Sequence, residues 1–461
     1  MANSEIYDIA IIGAGVVGCA MARRFTLDGA KTVVLEKAAD VLDGASKANS
    51  AILHTGFDAP PGSLEQACMA AGYREYLDIR DSLGLPLLKS GALVLAWEGE
   101  ALGKLDGLVA KAHQNGVKDV ARLGVEEIRK REPALAPHLL GGFEIPGEYL
   151  IDPWASAHAY LLQAMANGAK LMRGAEVLSG AYDGALWALS LPAGEVRAKR
   201  VINCGGLYGD IIDQRLLGES RFTIHPRKGQ FLVFDKAASG LLGATVLPVP
   251  TKITKGVVLF RTIFGNLAVG PTAEPQTSRS HAGTSREALQ ELRAKGIEML
   301  PKLADFEVVA TYAGLRPATE FQDYQIMAEP SRAYVSVGGI RSTGLSAALG
   351  IAAHVARLNS GAALSGAPIS APICPAPDRL SNYHPRDWQR PDHGGIICHC
   401  EQVTKREIEA ALNGPMPPAT LQGLKRRTRV TMGRCQGFNC LGALAALTRG
   451  RLDPPIGEED V

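Results

Sequence analysis

Residues 6–36 constrain this chain more than any other stretch. Tyr7-Asp8-Ile9-Ala10-Ile11-Ile12 has the composition of a buried strand, and Gly13-Ala14-Gly15-Val16-Val17-Gly18 follows at once. Val16 to Asp28 then reads as a helix, and Lys31 to Glu36 as a second strand. In that order each glycine has a task. Gly13 allows the tight turn, Gly15 lets backbone approach a pyrophosphate, and Gly18 permits close packing of helix on strand. The start of the helix offers free N–H groups and a partial positive charge to the phosphates. Glu36, with Lys37 beside it, closes the second strand where a ribose hydroxyl needs an acceptor. An acid there favours an unphosphorylated 2′-hydroxyl, hence FAD or NAD over NADP. A glycine turn without ligand is the bland alternative, and the full strand–turn–helix–strand–acid order disfavours it.

Three later segments favour FAD. Ser46-Lys47-Ala48-Asn49-Ser50 resembles the stretch that FAD enzymes lay along pyrophosphate and flavin. Arg200-Val201-Ile202-Asn203-Cys204-Gly205-Gly206 is a further strand ending in glycines. Gly338-Gly339-Ile340-Arg341-Ser342-Thr343-Gly344-Leu345 opens an apolar helix, Ser346–Leu358, whose positive end suits the anionic edge of a flavin. Arg341 either adds to that charge or lies exposed. The expected cofactor residues are Gly13, Gly15, Val16, Val17, Gly18, Glu36, Lys37, Ser46, Asn49, Ser50, Val177, Cys204, Gly205, Gly339, Ile340, Arg341, Gly344 and Leu345.

These segments are dispersed, so a Rossmann-type α/β FAD domain is expected from residues 1–80, 150–215 and 315–365. An inserted mixed-sheet substrate domain is expected from 81–149 and 216–314. Strand-like runs at Gly229–Phe234, Gly256–Thr262 and Asn266–Val269 and a helix near Ser285–Leu300 give the second insertion its character. Residues 366–394 are rich in proline, which favours an extended linker. The chain has 461 residues, 46% of them hydrophobic, enough for more than one core. A formal net charge of +2 gives no global field toward nucleic acid or anionic lipid. No apolar run approaches the roughly 18 residues that would span a bilayer. The first apolar run is short and lacks a basic leader, so it reads as a strand and not as a signal peptide. Of eight cysteines, four are scattered singly, which is not a secreted disulfide framework. The expected compartment is the cytoplasm, with any contact to the inner membrane made through partners.

The other four cysteines, Cys398-x-Cys400 and Cys435-x4-Cys440, form a separate module over residues 395–461. Four thiolates hold either a [2Fe-2S] cluster or structural zinc. Zinc sites more often use C-x2–4-C pairs, so this spacing favours iron. Gly433, Gly437 and Gly442 leave backbone N–H groups free to reach cluster sulfurs. Helices are expected over Glu401–Leu412, with Thr404 and Glu407 as a capping box, and over Leu441–Thr448. The basic run Lys425-Arg426-Arg427-Thr428-Arg429, with Arg434, has three readings: it offsets the cluster charge, docks an acidic partner, or forms a solvated face.

At this point the chain resembles the D-amino-acid-oxidase-like FAD proteins, in the branch of glycerol-3-phosphate dehydrogenase and L-2-hydroxyglutarate dehydrogenase. Its C-terminal part resembles the bacterioferritin-associated-ferredoxin-like [2Fe-2S] domain. The motifs are the glycine fingerprint, Asn49-Ser50-Ala51-Ile52-Leu53-His54-Thr55-Gly56, Pro226-Arg227-Lys228-Gly229-Gln230, Gly270-Pro271-Thr272, Gly314-Leu315-Arg316-Pro317 and the cysteine set. The resemblance implies hydride transfer to flavin N5, with electrons leaving through the cluster to a protein or quinone acceptor. It places Arg316 in the substrate cavity and makes His54 the candidate base, because its loop follows the flavin-lining segment. His225 is an alternative base, and Lys228 and Arg261 are candidates for a second anionic group on the substrate. In glycerol-3-phosphate dehydrogenases the His-x-Gly segment usually continues into Arg-Tyr. Here it continues Phe57-Asp58-Ala59-Pro60-Pro61-Gly62-Ser63-Leu64. The Pro-Gly-Ser-Leu ending is similar to that of the hydroxyglutarate enzymes, although their aromatic pair before it is missing, and this moves a small anionic 2-hydroxy acid ahead of glycerol 3-phosphate. An amino-acid or amine donor is the third reading, and an electron-transfer subunit without its own substrate the reading from another class.

Overall fold

The computed structural model describes residues 5–250, 256–359, 361, 364–377 and 380–457. The apolar run at the N-terminus forms the strand Ile6–Ile12, buried on both faces after its first residue. It lies at the centre of an eight-stranded sheet, parallel to Thr32–Glu36 on one side and Gly194–Asn203 on the other. Strands buried on both faces read as continuous apolar runs, because helices cover the sheet. The helices Val16–Leu27, Leu64–Ile79, Ala155–Ala166 and Gly344–Leu358 supply that cover through Cys19, Met21, Phe25, Met69, Tyr76, Tyr160 and Ile351. On the other face Trp187, Leu189 and Tyr334 pack against Ala10, Ile12 and Val33.

A second sheet of nine strands draws on both expected insertions. Ala92–Ala96 from the first pairs in parallel with Thr245–Pro248 from the second. The strand-like runs of the sequence become His225–Phe234, Val258–Arg261 and Leu267–Gly270, and the helix runs Arg286–Met299. His225–Phe234 pairs antiparallel along its length with Val308–Ala318. The faces of this sheet differ. Phe231, Phe260 and Tyr312 pack toward Ile52, Phe57 and Leu150, on the side of the first sheet. Leu232, Phe234 and Leu259 pack instead with Leu292 and Met299 of the covering helix. Between the two sheets three short strands, Ile52–Leu53, Leu87–Leu88 and Tyr149–Ile151, form a separate ladder.

The proline-rich stretch is extended, as its composition implies, but it is tied to the body. Gly366 and Ile369 donate to the carbonyls of Gly29 and Leu27, and Ile373 N–H donates to Asn167. The last module has its own core of Val403, Ile408, Leu412, Leu424, Val430 and Leu444. Its first helix starts later than the sequence suggests, at Lys405, because Thr404 and Glu407 close the capping box there.

That module is clamped to the body by the basic run. Arg427 and Asp40, with side chains 9% and 1% exposed, meet at 2.8 Å. Arg426 donates to the Val41 carbonyl, Arg429 and Lys236 share Glu401, and Arg434 pairs with Asp235. Of the three readings of this run, the solvated face is excluded for Arg426 and Arg429, which are buried, and for Arg427, whose side chain is 9% exposed and paired with Asp40. Nor are they available to an acidic partner protein, because their acids come from this chain. Losing one member of such a buried pair strands the other charge, so the interface is fixed in register.

Candidate active site

The glycines of the N-terminal turn are required by contact as well as by conformation. A Cβ on Gly18 would lie 1.9 Å from the Gly13 carbonyl oxygen. Gly13 has φ +99°, and a Cβ there would meet the Cys204 carbonyl at 2.7 Å. Cys204 N–H in turn donates to Ile12, and Gly205 N–H to the Asn203 side chain, so the second glycine-ended strand seats against the first turn. Around Gly15 the only atom a Cβ would approach is Ser46 Oγ, at 3.2 Å, and the first helical turn carries no acid. The opening suits a pyrophosphate, and the residues present fit FAD there. Ser46 Oγ accepts from Val16 N–H at 3.0 Å, while Asn49 folds back to accept from Ala51 N–H. A Cβ on Gly344 would sit 3.9 Å from Val16, which brings residues 339–345 to the same lip.

Glu36 accepts from Ala14 N–H at 2.7 Å and Ala38 N–H at 2.9 Å, and burial lifts its carboxyl against the lowering effect of those amides. Lys37 lies over the Tyr208 ring. Val177 is buried near the sheet edge where Ala175 N–H meets the Glu36 carbonyl. Arg341 reaches toward the buried Glu65 carboxylate at 3.7 Å. Thr343 also donates to Glu65, so this acid orders the second glycine loop.

The segment 47–49 is pinned from both sides. Trp154 Nε1 donates to the Lys47 carbonyl at 3.0 Å and the Tyr312 hydroxyl to the Asn49 carbonyl at 2.9 Å. A Cβ on Gly314 would lie 2.8 Å from Ala48. The strand Val308–Ala318 therefore rests on the flavin-lining segment, and Arg316 lies two residues further along the same face. Arg316 donates from Nη1 and Nη2 to one acceptor, the Thr272 carbonyl, at 3.3 and 3.4 Å. Burial, with Arg227 nearby, pushes its pKa down to about 10. Among the described residues it has no carboxylate partner. A guanidinium presents five donors in a fork shaped for a carboxylate or phosphate, and this one is left to find such a group in a ligand.

His54 follows the short strand Ile52–Leu53. Its backbone N–H donates to Ser346 on the helix that starts at Gly344, and its Nδ1 lies 2.7 Å from Glu148 Oε2. Glu148, fully buried, also accepts from Thr55 N–H and Oγ1. With both of these donors taken from Thr55, the carboxylate is held as an acceptor for Nδ1–H, which leaves Nε2 of His54 with a free lone pair. Glu148 was not singled out in the sequence. It lies in a Pro-Gly-Glu turn between two apolar strands, and only the pairing of Ile52–Leu53 with Tyr149–Ile151 brings it to His54.

Two expected anion-binding residues are not brought to this face. Strand alternation turns Lys228 toward the covering helix, where it pairs with Glu274 at 3.2 Å. Arg261 points the same way as Leu259, and lines a separate cavity of about 350 Å³ with Glu132 and Glu144. Arg227, directly across from Arg316, takes the place expected of Lys228. His225 is exposed at the start of its strand.

At the cluster module the four thiols come together as two pairs. Cys400 lies beside Cys435 and Cys440 beside Cys398, each thiol feeling the charge of its neighbours. The N–H groups of Asn439, Gly437 and Phe438 surround Cys435 and lower its thiol pKa. Among the described residues no three His, Cys, Asp or Glu side chains are grouped so as to hold a metal ion, so the choice between iron and zinc rests on the cysteine spacing and not on the geometry here. Arg429 lies 3.7 Å over the Phe264 ring, which stacks on Trp154, so packed side chains link the module to the flavin-lining segment.

A glycine-turn lip, a strand wall resting on its flavin segment and a four-cysteine module suit a flavin and iron–sulfur oxidoreductase. Residues 8–358 match the FAD dependent oxidoreductase family (DAO), and residues 396–448 the BFD-like [2Fe-2S] binding domain, so the chain belongs to that family and carries both cofactors. The glycerol 3-phosphate dehydrogenase of Caloramator mitchellensis is 32% identical, over 94% of this chain and 92% of that one. The mitochondrial L-2-hydroxyglutarate dehydrogenase of Nematostella vectensis is 29% identical, over 70% of this chain and 75% of that one. Among solved structures, the FAD-bound L-alpha-glycerophosphate oxidase of Mycoplasma pneumoniae superposes with a TM-score of 0.72 at 27% identity, covering 77% of this chain and 94% of that one. Among the described residues no helix is long and apolar enough to cross a membrane.

Proposed function

We propose that this chain is a dehydrogenase of a small anionic secondary alcohol. The observation that carries the reading is Arg316, a largely buried guanidinium with no acid partner among the described residues, in a wall that lies on the flavin segment. Bound FAD supplies the hydride acceptor, and the cluster carries electrons onward to a protein or quinone acceptor. Arg316 grips the substrate anion in two-point fashion and so fixes the carbinol carbon. His54 Nε2 takes the hydroxyl proton while the carbon gives up its hydride, leaving a carbonyl product. Glu148 holds the imidazole in the tautomer that makes Nε2 the base. Tyr312, stacked on Phe231 at 4.5 Å, ties this wall to the Asn49 carbonyl of the flavin-lining segment.

Glycerol 3-phosphate is the first substrate reading. It rests on the Caloramator relative, whose alignment covers 94% of this chain and so runs into the cluster module. A 2-hydroxy acid such as 2-hydroxyglutarate is the second, and the Pro61-Gly62-Ser63-Leu64 ending of the segment after His-x-Gly favours it. Turnover of the purified protein with an artificial acceptor, over glycerol 3-phosphate, L-2-hydroxyglutarate and glycine, tests both. Dihydroxyacetone phosphate or 2-oxoglutarate is the expected product. Ammonia release from the amino acid, with neither alcohol oxidised, would overturn the reading.

A further inference from the structure

We propose that Arg227 and Arg316 form a two-guanidinium clamp that selects substrates carrying two negative charges. The proposal rests on the anionic-alcohol reading above and deepens it. The two residues are register partners on neighbouring strands, Arg227 of His225–Phe234 and Arg316 of Val308–Ala318. The next pairs along, Gly229 with Gly314 and Phe231 with Tyr312, place this face against the flavin-lining segment. Gly229 makes the room: a Cβ there would lie 2.6 Å from Nη2 of Arg316.

Like charges directly opposite each other on a sheet destabilise it, and proteins usually place an acid between them. None is placed here. Among the described residues neither arginine has an ion pair, although acids are close in sequence. Glu274 is occupied by Lys228, Gln230 and Thr272, Glu320 by the Thr223 N–H, and Asp210 by Arg279. The neutralised cation, Lys228, is the one turned away. Two adjacent guanidinium forks on one face, without an acid partner among the described residues, match a phosphate dianion or a pair of carboxylates, and leave a monoanion with one fork unfilled. Arg227 is exposed and Arg316 half-buried, so Arg227 is the outer of the two and meets the second charge.

The test compares wild type, Arg227→Gln and Arg316→Gln as FAD- and cluster-loaded full chains. The first readout is binding of two unreactive probes, malonate and acetate, followed by perturbation of the flavin absorption. Wild type should prefer malonate by about tenfold or more. Arg227→Gln should erase that preference while holding acetate within about twofold, and Arg316→Gln should weaken both. The second readout is steady-state kinetics. Arg227→Gln should raise KM by about tenfold or more for glycerol 3-phosphate, L-2-hydroxyglutarate or both, with kcat nearly unchanged. Whichever KM rises tells phosphate from dicarboxylate. A full malonate preference retained in Arg227→Gln, but lost in Arg316→Gln, would overturn the clamp and leave the anionic-alcohol reading standing. No response to either probe in wild type, with full flavin occupancy, would count against both.

Discussion

The flavin lip and the substrate wall are built in opposite ways. The lip is made largely of backbone: the contacts that exclude a Cβ from Gly13 and Gly18 are to the carbonyl groups of Cys204 and Gly13. The wall is made of side chains from strands about 80 residues apart, and its character depends on which face each residue takes. Backbone requirements are written locally, as glycine at fixed spacing. The chemistry of the wall is written in strand parity and cross-strand pairing, which a linear reading leaves open.

That difference can be broken at several points. The largest effect belongs to the lip. Gly18→Ala drives a methyl into the Gly13 carbonyl, and the purified variant should carry no FAD, read from its visible spectrum. A variant retaining full flavin would mean the turn adapts and the lip is less constrained than its contacts imply. At the wall, His54→Ala should keep its flavin and slow anaerobic flavin reduction by roughly 10²–10⁴-fold; a loss below tenfold would move the base elsewhere. Glu148→Gln offers an amide where Nδ1–H needs an acceptor, which favours the wrong tautomer. Reduction should slow by about 10²-fold, with KM little changed, and Glu148→Asp should restore part of the rate. The smallest effect should come from Lys228→Gln, within about twofold in kcat/KM, because this lysine faces Glu274 and the covering helix. A large KM increase in that variant would return Lys228 to the cavity and remove the argument from parity.

Much of the lip was legible before the fold was seen. The strand, turn, helix and second strand of residues 6–36 fall where the glycines and apolar runs place them, and Ser46, Gly205 and Gly344 join them. The thiol set was equally plain, since C-x-C and C-x4-C with adjacent glycines carry their chemistry in spacing. What escaped is long-range. Glu148 becomes a partner of His54 only through a two-residue strand pairing, and no motif surrounds it. The Pro-Arg-Lys-Gly-Gln motif holds both Arg227 and Lys228, and nothing local says which side meets the flavin segment. The basic run Lys425–Arg429 was read against the nearby thiolates, yet its partners are Asp40, the Val41 carbonyl and Glu401, two of them nearly 400 residues away. Charge runs announce that acids are needed without saying where in the chain they lie.

The most direct test is an anaerobic titration of the purified protein with glycerol 3-phosphate and then L-2-hydroxyglutarate, followed in the visible spectrum for wild type and Arg316→Gln. One of the two alcohols should bleach the wild-type flavin band and then the cluster absorbance, and Arg316→Gln should need far more of it. If neither alcohol reduces the flavin while dithionite reduces both centres, or if Arg316→Gln titrates like wild type, the assignment of this cavity to an anionic alcohol is contradicted.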